Sequence, residues 1–473
     1  AQAPDSAERI DVGKRARHHK LTQDETNQLL VDLAREGKFV VRLKGGDPYL
    51  FGRGAEECAF VTKHGIACEV VPGVTSGLAA PATAGIPVTH RKVASTVTIV
   101  TGHEDPTKGD TSVDYDGLAK LIARGGTACF YMGVGRLQQI ADSLADCGLA
   151  CSTPAAVVQW GTLPQQRAAK GTLDNIKAEV ERAGVSSPAI IVVGEVAAID
   201  EPGLDYFTDR PLFGRRILVT RTRQQASDLR VGLAELGAEV IEAPTLELVP
   251  PADWGEVDAA VGRVGENDWL LLTSANAVDT LADRLVVLGR DARQLAGVQI
   301  ASVGDATTAA LWDRLRLGPD FVPRAFSGSS MARQLIAERS VHGQRCLLLR
   351  ADIARPELPK LLAEAGADVR EVVAYRTRVP DTLDAAALDA LRGGRLDWVT
   401  FTSSSTARHL VELLGEEREL LKTLKIASIG PTTSQTLRDL GVGVTVESES
   451  AGVASLIDAV VQTERLSGKG RDR

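Results

Sequence analysis

Aromatic side chains are scarce in this chain. Phe, Trp and Tyr together make up 4% of its 473 residues, so any core must be packed from Leu, Val, Ile and Ala. Methionine occurs twice. The six cysteines, Cys58, Cys68, Cys129, Cys147, Cys151 and Cys346, show no CxxC spacing. That excludes the usual structural zinc pattern and suits reduced, mostly buried thiols. The seven histidines are scattered apart from His18-His19, with no pair at metal-ligand helical spacing, and no metal is expected. No apolar run approaches the ~20 residues that span a bilayer, and the N-terminus has no apolar signal core. A membrane is therefore not an expected partner, and the expected location is cytoplasmic. Long basic runs are absent and the net charge is -8, which argues against a nucleic-acid partner. What remains is 44% hydrophobic and 25% charged, ordinary for a globular enzyme and long enough for more than one domain.

Short aliphatic runs alternate with Ala/Leu/Arg/Glu-rich stretches nearly throughout. The runs 39–43, 68–71, 97–101, 190–193, 216–220 and 399–402 read as strands, and the alternation predicts an α/β architecture with parallel sheets. A boundary is expected across 199–214, where two prolines and several charges interrupt the periodicity. The polar tail from Gln462 is expected to fray.

The second half carries an internal repeat. Leu218-Val-Thr-Arg221 matches Leu347-Leu-Leu-Arg350, an offset of 129 residues. Leu236-Gly-Ala-Glu-Val240 matches Ala365-Gly-Ala-Asp-Val369, and Leu272-Thr-Ser-Ala-Asn-Ala277 matches Phe401-Thr-Ser-Ser-Ser-Thr406, both at the same offset. Ile300-Ala-Ser-Val-Gly304 matches Ile426-Ala-Ser-Ile-Gly430 at 126. Two related α/β units follow. Ligands of open parallel sheets bind outside the carboxyl ends of the strands. Ser274, Asn276, Thr307 and Thr308 would then line one mouth, and Ser403, Ser404, Thr432 and Thr433 the other. Taken singly, each hydroxyl reads equally well as a helix N-cap. As paired clusters they favour a ligand cleft.

The first half is marked by Val41-Arg-Leu-Lys-Gly-Gly-Asp-Pro-Tyr-Leu-Phe-Gly-Arg-Gly54. Gly45-Gly46 lets the backbone turn sharply and approach a ligand without a Cβ in the way. Val70-Val-Pro-Gly-Val-Thr-Ser-Gly77, Ala84-Gly-Ile-Pro-Val-Thr-His-Arg91 and Val97-Thr-Ile-Val-Thr-Gly-His103 follow. This series resembles the uroporphyrinogen-III C-methyltransferases, tetrapyrrole methylases that use S-adenosylmethionine. The resemblance implies that Gly45, Gly46, Asp47, Leu50, Thr75, Ser76, Met132 and Gly161 hold that cofactor. Met132 reads otherwise as a core gap-filler. Lys14 matches a family lysine given a proton-donor role. The basic stretch Arg15, Arg17, His18, His19 and Lys20 suits a substrate with many carboxylates, or is a solvated turn before the helix near Thr22. The family's opening strand, its Gly-Pro-Gly-Asp type loop and its Tyr-Asp-Arg segment have no counterpart in these residues. The expectation is therefore either a fragment or an incomplete methylase half. The resemblance also implies a homodimer through this half.

Residues 213 to 461 resemble uroporphyrinogen-III synthase. The matching pieces are Leu218-Val-Thr-Arg221, Thr273-Ser-Ala-Asn-Ala-Val278, Val303-Gly-Asp-Ala-Thr307, Val373-Ala-Tyr-Arg-Thr377 and Ser428-Ile-Gly-Pro-Thr-Thr433. The implied fold is two α/β lobes joined by a two-stranded linker, crossing near 244–251 and returning near 374–380. The implied chemistry is closure of hydroxymethylbilane to uroporphyrinogen III with ring D inverted, and it implies no cofactor. Tyr375 matches the family tyrosine and would assist hydroxyl departure, or it is a half-buried interdomain aromatic. Thr307 and Thr433 would bind the substrate's acidic groups. Arg221 and Arg350 would pair with carboxylates, or form surface salt bridges.

The whole chain is thus expected to carry a tetrapyrrole methylase α/β domain at 1–200 and a two-lobed synthase-like α/β fold at 213–464. Lobe one is expected at 213–243 plus 379–464, and lobe two at 251–372. The alternatives are synthase activity beside an inert methylase remnant, and a non-catalytic tetrapyrrole-binding regulatory module.

Overall fold

Four of the six aliphatic runs become strands, and two do not. The computed structural model describes residues 7–15, 18–19, 21–102, 112–220, 227–325, 327–450 and 452–468. The chain divides into one unit of residues 1–215 with 233–239 and 471–473, and a second of 216–232 with 240–470.

In the first unit, β1 (Lys14–Arg15) and β2 (His18–His19) form a two-residue antiparallel pairing. The main sheet contains β3 (Thr96–Thr101), β4 (Gly126–Tyr131), β5 (Pro154–Gln159), β6 (Arg167–Thr172) and β7 (Ala189–Val193), in the order β3-β4-β7-β5-β6. Only β3–β4 is parallel; β4–β7, β7–β5 and β5–β6 are antiparallel. The expectation of parallel sheets throughout fails here. One short loop, 160–166, returns β5 directly into β6 without a crossover helix. Six helices accompany these strands: α1 (Gln23–Arg35), α2 (Gly54–Lys63), α3 (Ser76–Thr83), α4 (Tyr115–Ala123), α5 (Leu137–Asp146) and α6 (Ile176–Arg182). Successive strand residues point to opposite faces, and the packing follows that period. Phe130, Val157 and Ile191 join one core with Leu118, Ile140 and Ile176 of the helices. Cys129, Val158 and Ile190 join another with Ala80 of α3.

Residues 39–43 and 68–71 are not strands. A strand needs a partner for its backbone groups, and among the described residues none pairs with either segment. Phe39 is 95% exposed, and Val41, Leu43, Val71 and Val74 are also exposed. Beside them lies a different kind of anchor. The Glu57 side chain on α2 is 5% exposed, and its carboxylate binds Lys44 Nζ at 2.7 Å and Arg42 Nε at 3.4 Å. It also accepts from Gln23 Nε2 at 3.0 Å. Burial pushes this carboxyl up, but the Lys44 and Gln23 hydrogen bonds and the two cations outweigh it and hold it below its ordinary 4.5. Its stabilisation is therefore present at neutral pH and lost as pH falls from about 4.5 through the lowered value. Glu57→Ala should destabilise the first unit by about 3 kcal/mol at pH 7 by leaving Lys44 unpaired. The gap from wild type in thermal unfolding should narrow at acid pH. Phe39→Ala should change stability by less than about 0.5 kcal/mol.

The second unit contains two sheets with matching order. Its strands are β8 (Arg216–Val219), β9 (Glu239–Glu242), β10 (Glu247–Val249), β11 (Trp269–Leu272), β12 (Gln299–Ser302), β13 (Arg345–Ala351), β14 (Asp368–Arg378), β15 (Trp398–Phe401), β16 (Lys425–Ser428) and β17 (Val446–Glu447). One sheet runs β17-β16-β15-β8-β9 and the other β10-β14-β13-β11-β12. The sequence repeat pairs β8 with β13, β9 with β14, β11 with β15 and β12 with β16. On that pairing β16-β15-β8-β9 and β12-β11-β13-β14 are the same arrangement. The helices are α7 (Ser227–Glu235), α8 (Trp254–Gly262), α9 (Ala275–Val287), α10 (Asp305–Leu315), α11 (Gly328–Glu338), α12 (Glu357–Glu364), α13 (Ala385–Arg392), α14 (Ser404–Leu414), α15 (Pro431–Asp439) and α16 (Val453–Gly468). The strands β11 and β13 are buried on both faces. Leu270, Leu272, Leu347 and Leu349 pack one way, and Trp269, Leu271, Cys346 and Leu348 the other. β10 pairs antiparallel with the far end of β14, Val249 against Arg376.

Candidate functional site

In the first unit, four loops converge. Gly46 takes φ +73°, and the Gly45-Gly46 turn lies against the 73–75 turn. A Cβ on Gly73 would fall 2.3 Å from Gly46 O. Asp47 locks the two turns together: its carboxylate accepts from Tyr49 N at 2.9 Å and from Gly73 N at 3.2 Å. Those two N–H groups hold its carboxyl below the ordinary range. Leu50 N donates to Asp47 O at 3.3 Å. Ser76 begins α3, directly after Thr75. The Thr75 hydroxyl and the Gly77 N–H both bond the Tyr131 hydroxyl at the end of β4. Phe51 meets the Tyr131 ring edge-on at 5.2 Å between centroids. Met132 follows Tyr131 and is exposed, not a core gap-filler. Gly161 sits against α3, where an added Cβ would come 2.2 Å from Ala80 Cβ.

The backbone is strained in these same loops. Among the described residues, six that are not glycine have positive φ: Phe51, Arg53, Met132, Trp160, Thr162 and Arg316. The first five all lie in the loops after Asp47, β4 and β5. Non-glycine residues avoid that region, and strain of this kind clusters at ligand sites. A bed of glycine turns with exposed Phe51, Met132 and Trp160 fits a ligand with a flat, partly apolar body. Sequence reasoning named Met132 but missed Phe51 and Trp160, because nothing in a residue's type reveals a positive φ, and missed Tyr131, whose partners Thr75 and Gly77 are distant in sequence. Lys14 lies in β1. The basic residues Arg17 and Lys20 fall outside the described residues.

In the second unit, the two mouths sit at the carboxyl ends of the parallel strands. Ser274 ends the turn after β11 and caps α9, accepting from Ala277 N at 3.2 Å. The same hydroxyl lies 2.9 Å from the Tyr375 hydroxyl. Tyr375 is aimed there by a register shift in β14: Arg350 pairs with Val373 and Ala351 with Tyr375. Such bulges re-aim side chains next to functional sites. Asn276 is half-buried in the first turn of α9. Thr307 is buried in the first turn of α10, while Thr308 Oγ1 is taken up by Ser302 Oγ at 2.8 Å.

The other mouth repeats the pattern. Ser403 caps α14, accepting from Thr406 N at 3.2 Å. Ser404 donates to Thr432 O at 3.2 Å, and Thr433 is buried at the start of α15. The N-cap reading thus holds for Ser274 and Ser403. α10 and α15 instead begin after Gly304 and Gly430 with no side-chain cap. Their first-turn N–H groups are the donors left for an anion. Arg221 lies outside the described residues. The Arg350 side chain is 7% exposed, bonded to Glu371 Oε2 at 2.8 Å and to Arg355 O. It is neither a surface salt bridge nor a free carboxylate ligand. Among the described residues no cluster of His, Cys, Asp and Glu has the make-up of a metal site, all six cysteines are free thiols, and no helix is long and apolar enough to cross a membrane.

Comparison with known proteins follows this division. Residues 227–458 match the family model described as uroporphyrinogen-III synthase HemD. Residues 1–177 match the tetrapyrrole (corrin/porphyrin) methylases. The porphyrin biosynthesis protein HemD of Ruminiclostridium josui is 36% identical over 462 residues, covering 97% of this chain and 89% of that protein. An S-adenosyl-L-methionine-dependent uroporphyrinogen III methyltransferase of Methanosarcina barkeri is 52% identical over 198 residues, 42% of this chain and 76% of its own. Among solved structures, the uroporphyrin-III C-methyltransferase of Thermus thermophilus complexed with S-adenyl homocysteine is 38% identical. It covers 37% of this chain and 74% of that one, with a TM-score of 0.31.

Proposed function

The chain belongs to the family of the porphyrin biosynthesis protein HemD, with a tetrapyrrole methylase module followed by a uroporphyrinogen-III synthase module, and on that footing we propose how its two sites work. It is an enzyme of tetrapyrrole biosynthesis. The second unit closes hydroxymethylbilane to uroporphyrinogen III with ring D inverted. The first methylates that product at C2 and then C7, giving precorrin-2. The observation that carries this reading is that one chain holds both kinds of site. Five strained residues surround glycine turns in one unit. The other holds a Tyr375–Ser274 pair and two helix starts without side-chain caps.

Ring closure needs a leaving hydroxyl and a folded linear substrate. Tyr375 donates a proton or hydrogen bond to the departing oxygen, and Ser274 orients the phenol. Asn276, Thr307, Ser404, Thr432 and Thr433, with the first N–H groups of α10 and α15, hold the substrate's carboxylates. This is catalysis largely by positioning, and the synthase half needs no cofactor for it. In the methylase, S-adenosylmethionine supplies the methyl group from its sulfonium. Gly45, Gly46, Asp47, Leu50, Thr75, Ser76, Met132 and Gly161 shape its seat, with Phe51 and Tyr131 bracing it. Lys14 and its basic neighbours meet the substrate. We place the enzyme in the cytoplasm, as a homodimer through the methylase half, with no nucleic-acid partner.

The segments 39–43 and 68–71, which pair with no strand among the described residues, favour one second reading, in which the synthase alone is active. A product assay separates the two. Hydroxymethylbilane made in situ is supplied with and without S-adenosylmethionine, and the ring isomers are resolved by chromatography. Isomer III that converts to precorrin-2 only with the cofactor supports both activities. Isomer III unchanged in both samples leaves the synthase alone. Isomer I, the spontaneous product, would overturn the ring-closure reading.

A further inference from the structure

A cavity of about 630 Å³ opens in the lobe built on β11–β14. Its wall includes the start of α11 at Ser327, Gly328 and Ser329, the loop before α12, and Thr273. Thr273 is the chain neighbour of Ser274, whose hydroxyl touches Tyr375, so the cavity begins one residue from the serine that orients the proposed proton donor.

Its charges divide into satisfied and unsatisfied groups. Arg350 is engaged by Glu371 and by the Arg355 carbonyl, and therefore braces the loop that carries Arg355. Lys360 has Glu364 at 4.0 Å. Arg333 and Arg355 line the same cavity, are solvent-exposed, and make no ion pair among the described residues. At the α11 start, Ser327 Oγ satisfies Ser330 N at 3.1 Å, while the earlier Gly328 and Ser329 N–H groups have no intrahelical acceptor. The wall also includes Glu357 and Glu364, but the two arginines without partners leave the cavity with a surplus of positive charge that attracts anions. Its volume falls in the range of small-molecule sites, about 300–1,000 Å³.

We infer that this cavity is a carboxylate subsite of the synthase, in which Arg333 and Arg355 grip the acetate and propionate arms of one pyrrole ring of the linear substrate. The inference rests on the ring-closure reading above and names a part of that site beyond the hydroxyl-lined mouths. Guanidinium groups bind carboxylates in bidentate fashion, which fixes orientation as well as adding affinity. A ring held here places the chain of pyrroles relative to Tyr375. Arg333 and Arg355 are positioning residues: they hold the substrate's arms and not its reacting carbon.

The test is the double variant R333Q/R355Q in the full-length chain. Its KM for hydroxymethylbilane should rise about 10- to 100-fold with kcat within about threefold, and KM should depend less steeply on added NaCl than in wild type. R333K/R355K should recover part of the loss by restoring charge without the planar fork. Neither arginine has an internal partner, so the thermal unfolding midpoint should hold. A double variant with wild-type KM and salt dependence would overturn the inference. Titration with uroporphyrin III, a stable octacarboxylate, keeps the two readings apart. Weaker uroporphyrin binding by the variant supports the cavity even if wild type forms only isomer I and the ring-closure reading falls. Equal binding by variant and wild type sinks the cavity whatever the product assay shows.

Discussion

A full-length Gly73→Val variant is expected to lose methyl transfer by about 10²-fold and to keep isomer III formation within about twofold. The reason is steric and local. A Cβ at position 73 would sit 2.3 Å from Gly46 O and 2.9 Å from Gly46 C. Both atoms belong to the backbone, so no rotamer change relieves the clash, and the two turns must separate. Separation also breaks the Gly73 N to Asp47 bond at 3.2 Å. The bed for S-adenosylmethionine would then open on the side where Gly45, Gly46 and Asp47 stand. Binding is measured by titration of S-adenosylhomocysteine, and turnover by precorrin-2 formation from preformed uroporphyrinogen III. Asp47→Asn is the milder companion. It keeps an acceptor for Tyr49 N and removes the charge, so its loss should be smaller than that of Gly73→Val. Wild-type methyl transfer by Gly73→Val would mean that the 45–47 and 73–75 turns do not hold the cofactor together.

Particular residues show what sequence reading can and cannot reach here. The repeat of 129 residues was legible because strand ends and the turns after them keep residue type and spacing. The two sheets indeed share one strand order, β16-β15-β8-β9 against β12-β11-β13-β14. The direction of the strands in the first unit was not legible. Ile190–Val193 and Val97–Thr101 look alike as aliphatic runs, yet the first lies antiparallel to β4 and the second parallel. Runs 39–43 and 68–71 carry a strand composition and form none, since composition specifies a preference for pairing but not a partner. The glycine turn at 45–46 was visible, whereas the strained Phe51, Trp160 and Thr162 were not. Contacts distant in sequence were hidden as well. Ser274 and Tyr375 are 101 residues apart, and only a register shift in β14 brings their hydroxyls together. Arg350 showed the opposite failure: its place in the repeat suggested a ligand, and burial against Glu371 turned it into a brace.

Tyr375→Phe is the corresponding experiment on the synthase, and its expected cost is about 10²-fold in kcat with little change in KM. The substitution removes one oxygen and keeps the ring that packs against the β11–β14 core, so the lobe should fold as before. Only the hydroxyl within 2.9 Å of Ser274 Oγ is lost. If the phenol assists departure of the substrate hydroxyl, the loss falls on the step that generates the electrophile. Uncatalysed closure then competes, and isomer I should rise relative to isomer III. Ser274→Ala separates positioning from proton donation. It removes both the orienting contact to Tyr375 and the cap of α9, so it should lower kcat less than Tyr375→Phe while costing about 1 kcal/mol of stability. A purely structural tyrosine gives the reverse ranking: Tyr375→Phe would leave kcat and the isomer ratio untouched, and Ser274→Ala would act through stability alone. The isomer ratio at equal concentration of folded enzyme decides between them, because with the folded amount matched it reports on the fate of the substrate alone.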